Sequence, residues 1–264
     1  MSNQYALILG ASSGFGKSAA IALAKDGLNI IGVHLDRATT MPEVEQLKED
    51  IIKCGVKAVF YNVNAADAVK RNMVLDSIVE KFNAEPESTI KILLHSLAFG
   101  SLKEFITENE TDELNQKQLE MTLDVMGSSL VYWTQGMMRR KLMTAGGKIY
   151  CMTSSGGKKQ IKYYGAVSAA KALLESFTRQ LAMELGRQDI AVNALCAGVT
   201  DTPALKKIPN ADKIIANAKQ RNPKHELTLP EYVAEYIVNS YKLNSHWVTG
   251  NVINIDGGET VVEL

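Results

Sequence analysis

Cysteine, proline and aromatic residues are all scarce in this sequence. Its 264 residues include three cysteines and six prolines, and aromatic side chains make up only 6%. The cysteines, Cys54, Cys151 and Cys196, are odd in number and widely spaced, which excludes a disulfide framework and the CxxC spacing of a zinc site. We therefore expect buried thiols in a reducing compartment and no metal site.

Net charge and long apolar runs are missing as well. The 29 basic residues balance the 29 acidic ones, so nothing in the charge favours nucleic acid or a membrane surface as a partner. No apolar run approaches the ~18 residues that a membrane-spanning helix needs. The first apolar strand begins by Tyr5, which leaves no room for a signal peptide. We expect a soluble, cytoplasmic protein.

What is plentiful is a regular alternation of short apolar runs with helical patterns, without an internal repeat or a visible linker. Seven strands and six main helices follow one another along residues 1–264. Such alternation predicts an α/β fold, a doubly wound, Rossmann-type parallel sheet of seven strands in a single domain. Ligands of such a sheet bind at the carboxyl ends of its strands.

Two segments depart from this regular pattern. A long helix is predicted from Asn115 to Met143, and the small residues Gly127, Ser128 and Ser129 in its middle suit close contact between helices of different subunits. The stretch at about 203–230 is irregular and basic. A connection of that length in a compact domain predicts a lid over the substrate.

The apolar strand at residues 5–9 runs directly into the glycine-rich turn GASSGFG and then into a helix. In this context Gly10 permits a tight turn, Gly14 lets the backbone approach a pyrophosphate, and Gly16 allows close packing of helix on strand. Free N–H groups at the start of the helix favour an anion. We therefore predict a dinucleotide site, to which the intervening residues of the turn also belong: Ser12, Ser13 and Phe15.

The end of the second predicted strand bears on the choice of cofactor. His34 stands where an acidic residue would bind the ribose of NAD, and Asp36 follows two residues later. Arg37 can hold a 2′-phosphate, so the sequence favours NADP(H) over NAD(H), unless Arg37 is only a solvated loop charge. After the third strand, Asn62 and Val63 lie where the adenine should rest, and the Asn62 amide is a candidate partner for it.

Two further strand ends are predicted to meet the nicotinamide half of the cofactor. The fourth strand ends at His95, which has no carboxylate partner in view and is interpreted as structural or cofactor-supporting. The residues assigned to the nicotinamide ribose, its amide and the pyrophosphate follow the fourth and sixth strands: Ser96, Leu97, Ala98, Gly198, Val199, Thr200 and Thr202.

A tyrosine and a lysine near the fifth strand are the candidate catalytic pair. At about 100° per residue, Tyr164 and Lys171 lie only about 20° apart on a helix, whereas Tyr163 lies about 80° away. An ammonium close to a phenol favours the phenolate, so we expect a lowered pKa for Tyr164. A phenol so placed can protonate a developing alkoxide or enolate.

These motifs, with INIDGG near the end of the chain, resemble the short-chain dehydrogenase/reductase family over the whole length. Most members carry Tyr-x-x-x-Lys, which would place the tyrosine at Val167. The longer spacing from Tyr164 to Lys171 resembles the divergent branch of bacterial enoyl-acyl-carrier-protein reductases. Ser154, where some of those enzymes have a second tyrosine, and the segment DTPALKKIPNADKI resemble the Bacillus-type, NADPH-using subgroup. Asp124 replaces the asparagine that usually completes the family's active site.

The resemblance implies NAD(P)H-dependent reduction of the 2,3 double bond of an enoyl thioester in fatty acid synthesis. It implies that Tyr164 hydrogen-bonds or protonates the thioester oxygen, that Lys171 bonds the nicotinamide ribose, and that Ser154 binds the same oxygen or orders its loop. A homotetramer and an acyl carrier protein meeting the basic lid are implied as partners. A 3-ketoacyl or other carbonyl reductase and a non-catalytic NAD(P)-sensing regulator are the alternatives.

Overall fold

Seven parallel strands form one sheet in the computed structural model, which describes residues 3–243 and 245–262. The strands are β1 Gln4–Leu9, β2 Asn29–His34, β3 Ala58–Asn62, β4 Thr89–His95, β5 Lys148–Ser154, β6 Ala191–Ala197 and β7 Val252–Ile255. Their order across the sheet is β3-β2-β1-β4-β5-β6-β7, and every neighbouring pair is parallel. The order reverses direction between β1 and β4, so a crevice for a ligand opens there at the carboxyl ends of the strands. The predicted doubly wound sheet is confirmed.

Helices cover both faces of the sheet. Within the described residues they are α1 Gly14–Lys25, α2 Met41–Lys53, α3 Ala68–Ala84, α4 Gln116–Leu123, α5 Ser129–Arg139, α6 Gly165–Leu185, α7 Ala211–Arg221 and α8 Pro230–Tyr241. Because side chains alternate along a strand, Tyr5 and Leu7 of β1 belong to one core cluster and Ala6 and Ile8 to the other. The first cluster packs α3, α5 and α6, and the second packs α1, α2 and α8.

The helix predicted from Asn115 to Met143 is broken, which corrects the sequence prediction. A π-helical turn, Asp124–Ser128, separates α4 from α5. Hydroxyls that bond the backbone of the preceding turn often bend a helix, and the Ser129 hydroxyl donates to the Val125 carbonyl at 2.8 Å. The break belongs to the segment that packs on α6 beside the candidate site.

The small residues at this break pack within the chain. A Cβ on Gly127 would lie 2.7 Å from Cδ2 of Leu173 on α6, and Ser129 is fully buried. Packing within the chain thus explains the small size of Gly127 and Ser129, and subunit contact at this segment stays a prediction.

The three thiols differ in exposure. Cys151 on β5 and Cys196 on β6 are buried, as predicted, whereas Cys54 at the end of α2 is only half-buried. No helix among the described residues is long and apolar enough to cross a membrane.

Candidate active site

A cavity of about 240 Å³ opens at the carboxyl edge of β4, β5 and β6. Its polar lining side chains are Ser96, Thr153, Ser154, Ser155, Tyr164, Lys171, Thr200, Thr202 and Lys207. The larger apolar side chains around them are Phe15, Leu97, Phe99, Leu102, Met126, Met152, Ile161, Val167, Val199, Leu205, Ile208 and Ile214. A mostly apolar pocket with a few convergent polar groups is the usual form of a site for a small molecule.

Tyr164 reaches this cavity because of the turn that precedes α6. It is the N-cap residue of the helix, and its carbonyl accepts the Ser168 N–H at 2.7 Å. Tyr163 has a left-handed backbone, with φ of 66°. Its ring lies 5.0 Å from the Lys162 ammonium, and it is not part of the cavity lining within the described residues. Of the two adjacent tyrosines, Tyr164 is the one in the cleft.

Burial dominates the electrostatics of Tyr164. Removal from water raises the pKa of its phenol, and the Ser154 hydroxyl, 3.5 Å from the phenolic oxygen, opposes that rise. The predicted lowering by Lys171 is therefore wrong, because desolvation outweighs any nearby charge. A Cβ on Gly156 would lie 2.6 Å from Cε1 of the Tyr164 ring, so the absence of a side chain at Gly156 lets the ring pack closely there.

Lys171 lies two turns further along α6 and is only 6% exposed. Its ammonium donates to the Met152 carbonyl at the end of β5, with 2.7 Å between Nζ and O. Burial lowers the pKa of Lys171 to about 8, although the thiols of Cys151 and Cys196 act in the opposite direction. The structure thus brings Tyr164, Ser154 and Lys171 to one cavity and fixes the lysine by a strand carbonyl.

His95 is fully buried, close enough to Lys171 for the lysine charge to act on its ring. Its Nε2 lies 2.8 Å from Oγ of Ser129, whose only hydrogen is donated to the Val125 carbonyl. The ring must therefore donate from Nε2, which leaves Nδ1 as an acceptor, and this atom has no partner among the described residues. Burial and the Lys171 charge lower the pKa of His95 to about 3, so the ring is neutral at physiological pH.

The glycine-rich turn after β1 brings the start of α1 close to β1 and leaves it without a side-chain cap. A Cβ on Gly16 would lie 2.0 Å from the Gly10 carbonyl oxygen, so only glycine lets α1 start this close to β1. Gly14 has φ of 52° and faces more open space, with Thr202 Cγ2 3.5 Å from a built Cβ. Ser13, the N-cap of α1, makes no capping bond with its side chain. The first N–H groups of α1 are therefore uncapped by it and suit an anion.

The end of β2 is arranged differently from the prediction. The His34 side chain is only 2% exposed, and its Nδ1 lies 2.9 Å from Oδ2 of Asp36. This burial contradicts a contact between the His34 side chain and the cofactor. Partial burial raises the pKa of the Asp36 carboxylate, but hydrogen bonds with Ser12, Thr40 and His34 bring it below its usual range. Arg37 is exposed next to it.

The Asn62 side chain holds this strand end. Its Oδ1 accepts the Asp36 N–H and its Nδ2 donates to the Asp36 carbonyl, both at 3.0 Å. The Val63 N–H donates to the His34 carbonyl at 2.8 Å. These bonds join the ends of β2 and β3, and the adenine contact of Asn62 stays a prediction.

The residues predicted for the nicotinamide half of the cofactor line the same cavity as Tyr164. They are Ser96, Leu97, Ala98, Lys171, Gly198, Val199, Thr200 and Thr202, and Phe15, which is predicted with the glycine-rich turn, lines it too. The remaining predicted cofactor residues lie at the carboxyl ends of β1, β2 and β3 instead. Asp124 lies outside the cavity lining; burial raises the pKa of its carboxyl, and Arg71 opposes this.

Sequence reasoning missed residues from two distant segments. Leu205, Ile208 and Ile214 line the cavity; they belong to the predicted lid and to the segment DTPALKKIPNADKI, but none of them is predicted individually. Glu259, next to Gly257-Gly258, is 2% exposed and accepts the Val199 N–H at 2.9 Å. A carboxylate directly after a paired glycine is the only sequence signal for this contact.

Comparisons with known proteins agree with this geometry. A family model described as enoyl-(acyl carrier protein) reductase matches residues 10–260. Cyclohexanol dehydrogenase of Acinetobacter sp. strain SE19 is 26% identical over 260 residues, which cover 98% of this chain and 95% of that protein. Enoyl-[acyl-carrier-protein] reductase [NADH] of Bacillus cereus is 34% identical over 119 residues, covering 45% of this chain and 46% of the relative.

A solved structure shows the same fold. The Bacillus cereus enoyl-acyl carrier protein reductase with NADP+ and indole naphthyridinone superposes with a TM-score of 0.86, at 23% identity, over 99% of this chain and 98% of that one. The family match spans nearly all of the chain, including the glycine-rich turn, Tyr164 and Lys171. The chain therefore belongs to the short-chain dehydrogenase/reductase family, in the group that the enoyl-(acyl carrier protein) reductase model describes, and is an NAD(P)-dependent oxidoreductase.

Proposed function

We propose that this protein reduces the 2,3 double bond of enoyl thioesters, carried by acyl carrier protein, in fatty acid synthesis. One observation carries the proposal: the half-buried Tyr164 and the buried Lys171 lie in a cavity whose remaining walls are mostly apolar. An acyl chain fits apolar walls, while its thioester oxygen needs a single hydrogen-bond donor. The family match and the partial identity to Bacillus enoyl reductases support this substrate class.

NAD(P)H, held by the glycine-rich turn and the loop after β6, supplies the hydride when it is bound. Negative charge then develops on the thioester oxygen. The Tyr164 phenol donates to that oxygen, and its raised pKa keeps it protonated and able to donate at neutral pH. Ser154, 3.5 Å from the phenol, supplies a second hydroxyl at the same place.

In this proposal Lys171 positions the cofactor and does not donate a proton to the substrate. Its burial and its bond to the Met152 carbonyl restrict the ammonium to one place beside the cavity. From there it bonds the nicotinamide ribose, as the family resemblance implies. The neutral His95 ring adds no competing positive charge behind it.

The main test uses the two neighbouring tyrosines as a matched pair. We expect Tyr164→Phe to lower kcat for crotonyl thioester roughly 10²- to 10⁴-fold, the usual contribution of a positioned proton donor. Tyr163→Phe removes the same hydroxyl one residue away, outside the cavity, and should retain wild-type kcat within about twofold. Equal losses in both variants would contradict the assignment of Tyr164.

A 3-ketoacyl or other carbonyl reductase is the closest alternative, because a donor to a thioester oxygen can also protonate an alkoxide. Turnover of acetoacetyl and crotonyl thioesters, measured side by side by NAD(P)H oxidation, separates the two. Robust reduction of the ketone with none of the enoyl substrate would replace our proposal by this alternative.

A cofactor-sensing regulator without turnover is the alternative from another class. The presence of both Tyr164 and Lys171 in the lining of one cavity argues against it, because a sensor needs neither group. This alternative would gain if cofactor bound normally while neither wild type nor Tyr164→Phe turned over any enoyl or carbonyl substrate.

For the cofactor we propose NADPH rather than NADH. Arg37 is exposed at the end of β2, and the neighbouring Asp36 carboxylate is occupied by His34, Thr40 and Ser12. An Arg is suited to a 2′-phosphate. We expect Arg37→Leu to raise KM for NADPH roughly tenfold while KM for NADH stays unchanged, which corresponds to the loss of about 1.4 kcal/mol. A wild type that prefers NADH, or a variant that loses both equally, would refute the preference.

We also propose the partners that the resemblance implies, an acyl carrier protein and a homotetramer. Lys213 and Lys219 are exposed on α7 of the lid and offer positive charge to an acidic carrier. The double variant Lys213→Glu/Lys219→Glu should raise KM for carrier-bound substrate and leave KM for the coenzyme A thioester unchanged.

A tetramer should give a light-scattering mass four times that of one chain, and a monomer mass would exclude it.

A further inference from the structure

In the loop after β6, both backbone groups of Val199 are hydrogen-bonded to other segments of the chain. We name residues 198–202 the cofactor loop and keep the name lid for residues 203–230. The Val199 N–H donates to Oε2 of Glu259 at 2.9 Å, and the Val199 carbonyl accepts the Thr228 N–H at 3.0 Å. Thr228 is close to the end of the lid, so both ends of the lid lie next to the cofactor loop.

Glu259 connects this place to the helix within the lid. Its side chain is 1% exposed, and its second oxygen, Oε1, lies 3.5 Å from Nη2 of Arg221, the last residue of α7. A carboxylate buried to this degree is costly unless both oxygens have partners. Here one partner belongs to the cofactor loop and the other to the lid.

The glycine pair before Glu259 forms the surface on which the lid rests. Gly257 and Gly258 have φ of 61° and 90°, and a Cβ on Gly257 would lie 3.0 Å from Nδ2 of Asn222. That same Nδ2 donates to the Asp256 carbonyl at 3.0 Å, and Asn222 directly follows α7. The glycines therefore let the end of α7 dock on the backbone that carries Glu259. They have no part in the dinucleotide site described above.

Both elements that Glu259 joins reach the same cavity, since Thr200 of the cofactor loop and Ile214 of α7 are lining residues. We propose that Glu259 is a positioning residue that couples NAD(P)H binding to the seating of the lid. Cofactor that orders the cofactor loop then also favours the seated position of α7, and by thermodynamic linkage a seated lid favours bound cofactor. The coupling depends only on cofactor binding and is independent of the acyl substrate.

Two measurements on Glu259→Gln test the proposal without any turnover. The first is the Kd of NADPH from its fluorescence, which we expect to rise roughly five- to tenfold, because a charge-assisted bond to Val199 becomes a neutral one. The second is cleavage by a lysine-specific protease, followed by mass spectrometry. In wild type, saturating NADPH should protect the lysines in and before α7 from cleavage, and in the variant this protection should be lost. These lysines are Lys206, Lys207, Lys213 and Lys219.

Two further variants make the result specific. Asp76→Asn is the matched control, because it also neutralises a carboxylate that pairs with an arginine, Arg140 at 2.8 Å, but in an exposed position on α3 outside the cavity lining. It should keep wild-type Kd and protection. Arg221→Met removes only the connection to the lid. Since this side chain is 48% exposed, the protein should fold and lose protection, and its NADPH Kd should rise by less than in Glu259→Gln, because only the contribution of the lid is lost.

The outcomes separate cleanly. Loss of protection in Glu259→Gln and Arg221→Met, but not in Asp76→Asn, supports the coupling. Protection at the wild-type level in Arg221→Met overturns it, and this holds even if Glu259→Gln fails to fold. An inactive enzyme toward enoyl thioesters that still shows the coupling would reject the proposed substrate and leave the role of Glu259 intact.

Discussion

The ammonium of Lys171 is costly to bury, and this cost predicts a specific pH dependence of stability. Burial lowers the pKa of Lys171 from 10.5 to about 8. A difference of that size between the unfolded and folded states corresponds to about 3 kcal/mol of unfolding free energy. Below pH 8 the lysine is protonated in both states, and the folded state bears the full cost.

Between about pH 8 and 10.5 the folded protein releases this proton while the unfolded chain keeps it. Because the unfolded state then binds more protons, the free energy of unfolding rises with pH over this interval. Lys171→Met has no such proton. We therefore expect wild type to gain about 3 kcal/mol relative to the variant between pH 7 and pH 10.5.

Urea unfolding of the cofactor-free proteins at several pH values measures this difference. Loss of the bond to the Met152 carbonyl also destabilises Lys171→Met, but by an amount that does not vary with pH, so the slope remains diagnostic. Lys159→Met, which removes an exposed lysine, is the control and should run parallel to wild type. Parallel curves for Lys171→Met as well would refute the explanation by burial.

Three other substitutions test how the fold supports the site. Gly16→Ala places a methyl 2.0 Å from the Gly10 carbonyl oxygen and should lower the free energy of unfolding in urea by more than about 2 kcal/mol. Gly186→Ala, with nothing within 4 Å, should change it by less than about 1 kcal/mol, and equal losses would contradict the close-packing explanation. Asp67→Ala removes the cap that accepts two N–H groups of α3 and should cost about 1 kcal/mol, and an unchanged melting temperature would argue against that cap. Trp133→Phe loses the buried hydrogen bond from the indole N–H to the Ala65 carbonyl, 2.8 Å long, and leaves a void. The free energy of unfolding should fall by about 2 to 3 kcal/mol in the same assay, and a loss below about 0.5 kcal/mol would contradict this expectation.

The sequence alone predicted the elements whose causes are local. Short apolar runs and helical hydrophobic patterns predict the seven strands and most helices, because a parallel strand that is buried on both faces is apolar along its whole length. The glycine-rich turn and the spacing of Tyr164 and Lys171 are equally local, and both residues do reach one cavity. The break at Asp124–Ser128 escaped prediction because hydroxyl-to-backbone bonds compete with a regular helix without changing its hydrophobic pattern.

Only the tertiary structure decided the properties that depend on distant groups. The pKa of Tyr164 follows from how completely the surrounding segments remove its ring from water, and helix spacing carries no information about that. Asn62 is hydrogen-bonded to Asp36 in the loop after β2, and Glu259 accepts a hydrogen bond from Val199, 60 residues away in the chain. Burial and long-range pairing arise only when the elements pack together, so they determine the electrostatics and the anchoring of this site after the sequence has determined its members.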